Sequence, residues 1–222
     1  KPRVSAFTSA DIDKILALEP DLVLTFSDLQ APIVADLVRH GIAVHAFNQR
    51  DIAGILAMIR TVSALVGASH KGETLVAFYQ ARLETLRAQS TTRQPVRVYF
   101  EEWDDPMICG IGWVSELIEI AGGNDVFAER ARNKAARDRF VSFDEVIAAA
   151  PDLILASWCG KKVVREKIGS RPGWHDVPAV RNDQIVEIKS PLILQPGPAA
   201  LSDGLDAIIA AIARFQSRIS TE

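Results

Sequence analysis

The sequence predicts an α/β fold of two lobes with related build. Three observations carry that expectation. Apolar runs of strand length alternate with stretches of helical periodicity. One helix, stop and strand phrase occurs twice: residues 12–24, IDKILALEPDLVL, align with residues 143–155, FDEVIAAAPDLIL, matching Asp13 with Asp144, Ala17 with Ala148 and the Pro20 and Pro151 phrases PDL. A long helical stretch separates the two copies.

Taken in order, residues 1–8 are short and extended, and Thr8 or Ser9 caps a helix over 10–18 that Pro20 ends. Residues 21–26, DLVLTF, form a nearly continuous apolar run, as expected of a parallel strand covered on both faces. A helix over 31–40 stops at Gly41, and 42–47 supply the next strand of a right-handed β-α-β unit. Ile52, Ile55, Leu56, Ile59, Val62, Leu65 and Val66 then recur at helical spacing until Gly67. A second helix, over 69–88, is about 30 Å long, enough to cross one lobe and start another, and the polar stretch 89–95 follows it. The alternation restarts with a strand over 96–101, a helix over 114–121 closed by Gly122 and Gly123, and a helix over 142–150 in which Ser142 and Glu145 have capping-box spacing. A strand over 152–157, a short helix over 163–168 and a last strand over 184–188 complete it. Pro191, Pro196 and Pro198 predict a rigid, extended loop before a terminal helix over 199–219.

With 222 residues, 48% hydrophobic and 24% charged, the chain has enough apolar content for one good core or two modest ones. A net charge of -3 argues against a nucleic-acid partner, which calls for a clustered basic face. The densest basic run, Lys161, Lys162, Arg165 and Lys167, reads as a solvated helix face. No apolar run reaches the roughly 18–20 residues that span a bilayer, and Lys1, Pro2 and Arg3 begin no signal-peptide core. Cys109 and Cys159 match no zinc motif; they are compatible with one disulfide or two thiols, and free thiols are expected in a domain this apolar.

The chemistry concentrates at strand ends, where ligands sit in α/β proteins. Residues 101–123, EEWDDPMICGIGWVSELIEIAGG, turn at Gly110 and Gly112 and bring Trp103, Asp104, Asp105 and Trp113 near one another. The two repeat copies deliver Phe26, Ser27 and Asp28 in the first half, and Ser157, Trp158, Cys159, Gly160 and Lys161 in the second. Indoles offer a large apolar face and one donor, which suits a flat or bulky ligand with a polar edge; the alternative for Trp113 and Trp158 is that they pack the core. Glu101, Glu102, Asp104 and Asp105 resemble a paired acid and base less than a solvated rim. The histidines, His40, His45, His70 and His175, show no HExxH or close pairing, and no phosphate-binding glycine signature is present. No catalytic residue or metal ligand is therefore assigned.

The order of these phrases, above all EEWDxP…GxGWxxELIExAGG and RPGW…VxNxxIxEI, resembles the helical-backbone (class III) substrate-binding proteins of ABC importers, in their cobalamin-binding branch, with haem and siderophore receptors as cousins. The resemblance covers nearly the whole chain. It implies two Rossmann-like lobes joined by one long helix, with boundaries 1–68, 69–92 and 93–222, a first lobe that lacks its opening strand, helix and strand and so leaves an edge exposed, and a ligand held between the lobes. It implies a monomer in the periplasm with no cofactor of its own, an ABC transporter permease as partner, and cobalamin or another metal chelate as ligand. Phe26, Asp28, Trp103, Asp105, Trp113, Trp158 and Lys189 are its candidate ligand contacts. Where the family carries permease-docking glutamates, this chain has Ala31 or Pro32 and Lys161 or Lys162, with Asp28 and Glu166 as the nearest acids. The rival reading is a cytoplasmic enzyme or metallochaperone that uses Cys159 and the acidic rim.

Overall fold

The structure, a computed structural model, describes residues 1–90 and 95–219. Two compact units divide the chain, residues 1–49 and 50–222.

In the first unit, α1 (Ile12–Leu16) begins at Asp11, whose side chain accepts from the Lys14 N–H at 3.1 Å. Asp11 takes the capping role expected of Thr8 or Ser9, and the helix is shorter than 10–18 because Glu19, at φ +46°, turns the chain before Pro20. Strand β1 (Val23–Phe26) leads through a single 3-10 turn into α2 (Ala31–Arg39), which stops where Gly41 adopts φ +79°. Strand β2 (Val44–Phe47) then pairs parallel with β1, Val23 against Val44 through Phe26 against Phe47. The expectation that β1 is covered on both faces does not hold among the described residues: Leu24 is 46% exposed, only Thr25 of the strand is buried, and the other edge of β1 pairs with no described strand.

The second unit opens with α3 (Ile52–Leu65), capped by Asp51 on the Gly54 N–H at 2.6 Å, and α4 (Ser69–Ser90), which pack on each other. Gly72 is what lets them close: a Cβ there would lie 1.9 Å from the Ser63 hydroxyl oxygen. Helix α4 runs two residues into the stretch expected to be polar loop; residues 91–94, and with them the last two residues of the expected 69–92 linker, lie outside the described residues.

The sheet follows. Its central strand is β3 (Val96–Asp104), next to β4 (Met107–Cys109), α5 (Gly112–Ile120), β5 (Gly123–Asp125) and α6 (Ala128–Ala131) in the chain. After these come α7 (Phe143–Ala149), β6 (Leu153–Ala156), α8 (Arg165–Gly169), α9 (Pro178–Arg181), β7 (Ile185–Glu187), α10 (Ser190–Ile193) and α11 (Leu205–Ile219). The order is β4-β3-β6-β7, with β5 also on β3; β3, β5, β6 and β7 run parallel and β4 antiparallel. Tyr99, Ile154, Ala156, Trp158, Ile168 and Trp174 belong to a buried cluster on this sheet.

The sequence repeat is structural. Asp11 and Ser142 occupy equivalent alignment positions and both cap their helices, Ser142 with a full capping box to Glu145. Glu19 and Ala150 are also equivalent, and both take the left-handed conformation, φ +46° and +42°, immediately before a proline. The proline loop departs from expectation. It is not extended: Pro191 sits in the first turn of α10, where a missing N–H costs nothing, and a π-helical turn over Ala200–Gly204 leads into α11.

Candidate functional site

The end of β3 carries Glu101, Glu102, Trp103 and Asp104, and a β-bulge sits there: Glu101 faces Cys109 while Trp103 faces the adjacent Ile108. A bulge breaks the two-residue alternation and re-aims side chains. Three carboxylates expected on a solvated rim are paired inside the protein instead. Glu101 is fully buried and receives both arms of Arg171, at 2.5 and 3.0 Å, together with the Trp158 indole N–H at 3.0 Å and the Tyr99 hydroxyl at 3.2 Å. Such a carboxylate persists away from water only when its lone pairs are filled and its charge is countered. Arg171 in turn lies over the Trp174 ring, 4.6 Å from its centroid. Glu102 takes a two-armed contact from Arg139, at 2.6 and 3.0 Å, and Arg139 also donates to the Cys109 carbonyl at 2.7 Å.

Asp104 is the third. Its side chain is 1% exposed and holds the ammonium groups of Lys161, on one oxygen, and of Lys167, on the other at 2.5 Å. Burial alone would raise its pKa, but the hydrogen bonds from the two lysines outweigh it and keep the carboxyl below its usual range. Lys161 also stands over Trp103, 4.0 Å from the ring centroid, and both lysines approach the Trp158 ring, at 5.1 and 5.8 Å. The basic run read as a solvated face is thus folded partly onto the strand end.

The predicted contacts separate into two groups. Trp113 and Trp158 are each 2% exposed with their N–H groups satisfied, Trp113 by the Ile193 carbonyl at 2.8 Å, so both serve the interior and neither offers a stacking face. Gly112 permits the burial of Trp113: a Cβ there would lie 2.4 Å from the Arg50 carbonyl, which accepts the Trp113 backbone N–H at 3.0 Å. Trp103 is half-buried, and its N–H donates to the carbonyl of the exposed Asp105 at 2.9 Å. Lys189 is exposed and pairs with Glu187 at 2.8 Å. In the first unit, half-buried Phe26 has its backbone N–H on the Gln30 side chain at 3.0 Å, and exposed Asp28 accepts from the Ser27 hydroxyl at 3.1 Å. Arg139 and Arg171 escaped the sequence reading, and Lys167 was seen only as part of the basic run, since nothing in their local pattern names a partner dozens of residues away.

Cys109 is buried and Cys159 exposed, and both are free. Burial pushes the Cys109 thiol up to about 12; burial, and then the charge of Glu102, raise that of Cys159. Neither is an activated nucleophile. Among the described residues no three His, Cys, Asp or Glu side chains gather as a metal site, and no helix is long and apolar enough to cross a membrane.

The family described as periplasmic binding protein matches residues 1–192. The vitamin B12-binding protein of Vibrio parahaemolyticus serotype O3:K6 is 27% identical over 219 residues, covering 97% of this chain and 75% of that protein. Among solved structures, the periplasmic haem-binding protein BhuT in complex with two haems superposes with a TM-score of 0.75 at 22% identity, over 95% of this chain and 83% of BhuT. The periplasmic vitamin B12-binding protein BtuF of Vibrio cholerae gives 0.72 at 24%, over 96% and 82%. These relatives are binding proteins, which sets aside the enzyme reading of Cys159 and the acidic rim. The chain belongs to the periplasmic binding protein family and shares the fold of the class III substrate-binding proteins it matches.

Proposed function

We propose that this protein is the extracytoplasmic receptor of an ABC importer and captures a corrinoid of the cobalamin class, which it delivers to a permease. The observation that carries the reading is Trp103. It is a half-buried indole at the carboxyl end of the parallel β3 and β6 pair, where Lys161 and the Asp105 turn set a polar edge beside an apolar ring. A flat macrocycle with polar side groups matches that combination. The relative with 27% identity along nearly the whole chain supports the same ligand class.

In this reading Trp103, Asp105 and Lys189 are the ligand contacts of the second unit, where Trp113 and Trp158 support the wall from within, and Phe26 and Asp28 are the candidate contacts of the first. The lobes are those implied by the sequence, 1–68 and 93–222, joined by 69–92. Titration with cyanocobalamin, dicyanocobinamide, haem and ferric siderophores, followed by calorimetry, tests it. A corrinoid should bind with Kd of about 1 μM or tighter, and Trp103→Ala should weaken binding roughly tenfold or more, the scale of an aromatic anchor. Failure to bind any corrinoid refutes the ligand assignment, and haem or siderophore binding alone replaces it. Unchanged affinity in Trp103→Ala removes the stacking role.

A further inference from the structure

The Lys161 and Lys167 pair has a property the corrinoid reading does not use. Two ammonium groups share one carboxylate, so the cluster with Asp104 carries a surplus positive charge. That surplus is presented outward: the Asp104 side chain is 1% exposed, whereas those of Lys161 and Lys167 are 40% and 55% exposed. Each ammonium has three N–H donors, and Asp104 engages each lysine through a different oxygen. The remaining donors are not consumed by the carboxylate. Lysine side chains are ordinarily mobile, and holding two of them on a buried anion removes much of the ordering cost that a ligand would otherwise meet. The same ammonium of Lys161 lies 4.0 Å above the Trp103 ring, so the charge and the apolar face belong to one patch.

We propose that Lys161 and Lys167 form an anion-recognising subsite, organised by Asp104, that selects metal chelates carrying an anionic oxygen group beside the macrocycle. The inference rests on the receptor reading above and narrows its ligand. In a cobalamin the group is the phosphodiester of the nucleotide loop, which a cobinamide lacks; in haem it is the propionate carboxylates, which a dimethyl ester neutralises. Asp104 acts as a positioning residue and does not touch the ligand.

The test compares these matched pairs on the wild-type protein and on Lys161→Gln/Lys167→Gln. Because that variant strands a buried carboxylate, a second one, Lys161→Gln/Lys167→Gln/Asp104→Asn, removes the whole charged network while keeping polar side chains. Wild type should prefer cobalamin over cobinamide, or haem over its dimethyl ester, by roughly tenfold, the scale of one or two charge-assisted hydrogen bonds. That preference should shrink when salt rises from about 50 to about 500 mM, through screening. In the triple variant, folded by circular dichroism, affinity for the anionic member should fall to that of its neutral partner, which itself changes less than about twofold. Equal wild-type affinity within both pairs, or a preference that survives the triple variant, overturns the anion subsite and leaves the receptor reading standing. Wild type that binds no chelate overturns both. The cobalamin and haem pairs show which source of the anionic oxygen the site takes.

Discussion

Arg171→Met is the most discriminating perturbation of the second unit. It removes both arms of a guanidinium from a carboxylate that has no access to water, and it leaves the shape of the site largely filled. Removing one partner of a buried pair costs about 3–5 kcal/mol, because the other charge is stranded. Here the Trp158 and Tyr99 donors still reach Glu101, so the lower end applies, about 3 kcal/mol. For a chain of this size each kcal/mol moves Tm by about 2–4 °C, so the variant should melt about 6–12 °C lower by scanning calorimetry. The partner variant Glu101→Gln/Arg171→Met restores neutrality while a side-chain oxygen remains for the Trp158 N–H, and it should recover at least about 1 kcal/mol of the loss. A loss below about 1 kcal/mol for Arg171→Met is the behaviour of an exposed pair. That result, or a double variant no more stable than the single one, refutes the claim that this ion pair is a buried structural element.

Two further perturbations follow from the same geometry. Gly112→Ala pushes a methyl to 2.4 Å from a backbone carbonyl that cannot swing away; a loss of about 1–3 kcal/mol in urea denaturation is expected, against a smaller one for Gly110→Ala, whose Cβ meets only ordinary contacts at 3.4 Å. The Arg130 hydrogen bond, then the Ser142 backbone N–H, lower the Glu145 pKa from 4.5 to about 2. Its folded value lies below its unfolded one, so its contribution is present above about pH 4.5 and is lost as pH falls toward 2, and Glu145→Gln should flatten the dependence of stability on pH across that window.

The architecture was legible wherever local chemistry decides it. Ser142 and Gly41 mark helix ends through groups that act within a few residues, and the repeat carried its stop signals with it, down to the left-handed turns at Glu19 and Ala150. The three-residue strands β4 and β5 were not legible, since so short a segment has no periodicity of its own and exists only through pairing with β3. The prolines misled in the same way: proline fixes φ near the value a helix also uses, so Pro191 is as much at home in the first turn of α10 as in an extended loop.

The strand end shows why the candidate site was only half legible. The sequence singled out this segment and its indoles, because aromatic and acidic side chains after an apolar run are visible as composition. It could not assign their directions. Strict alternation along β3 puts Glu101 and Asp104, three residues apart, on opposite faces. The bulge at Glu102 absorbs the extra residue, and Glu101 and the lysines of Asp104 then gather around one ring, that of Trp158. The carboxylates thereby become internal counter-charges for Arg171, Arg139, Lys161 and Lys167, whose sequence separations from them run from 37 to 70 residues. Burying Trp158 beneath that network leaves Trp103, the residue after the bulge, as the indole of this strand end with a solvent-facing surface. One extra residue in a strand thus decides which tryptophan is buried in the interior and which keeps an exposed face.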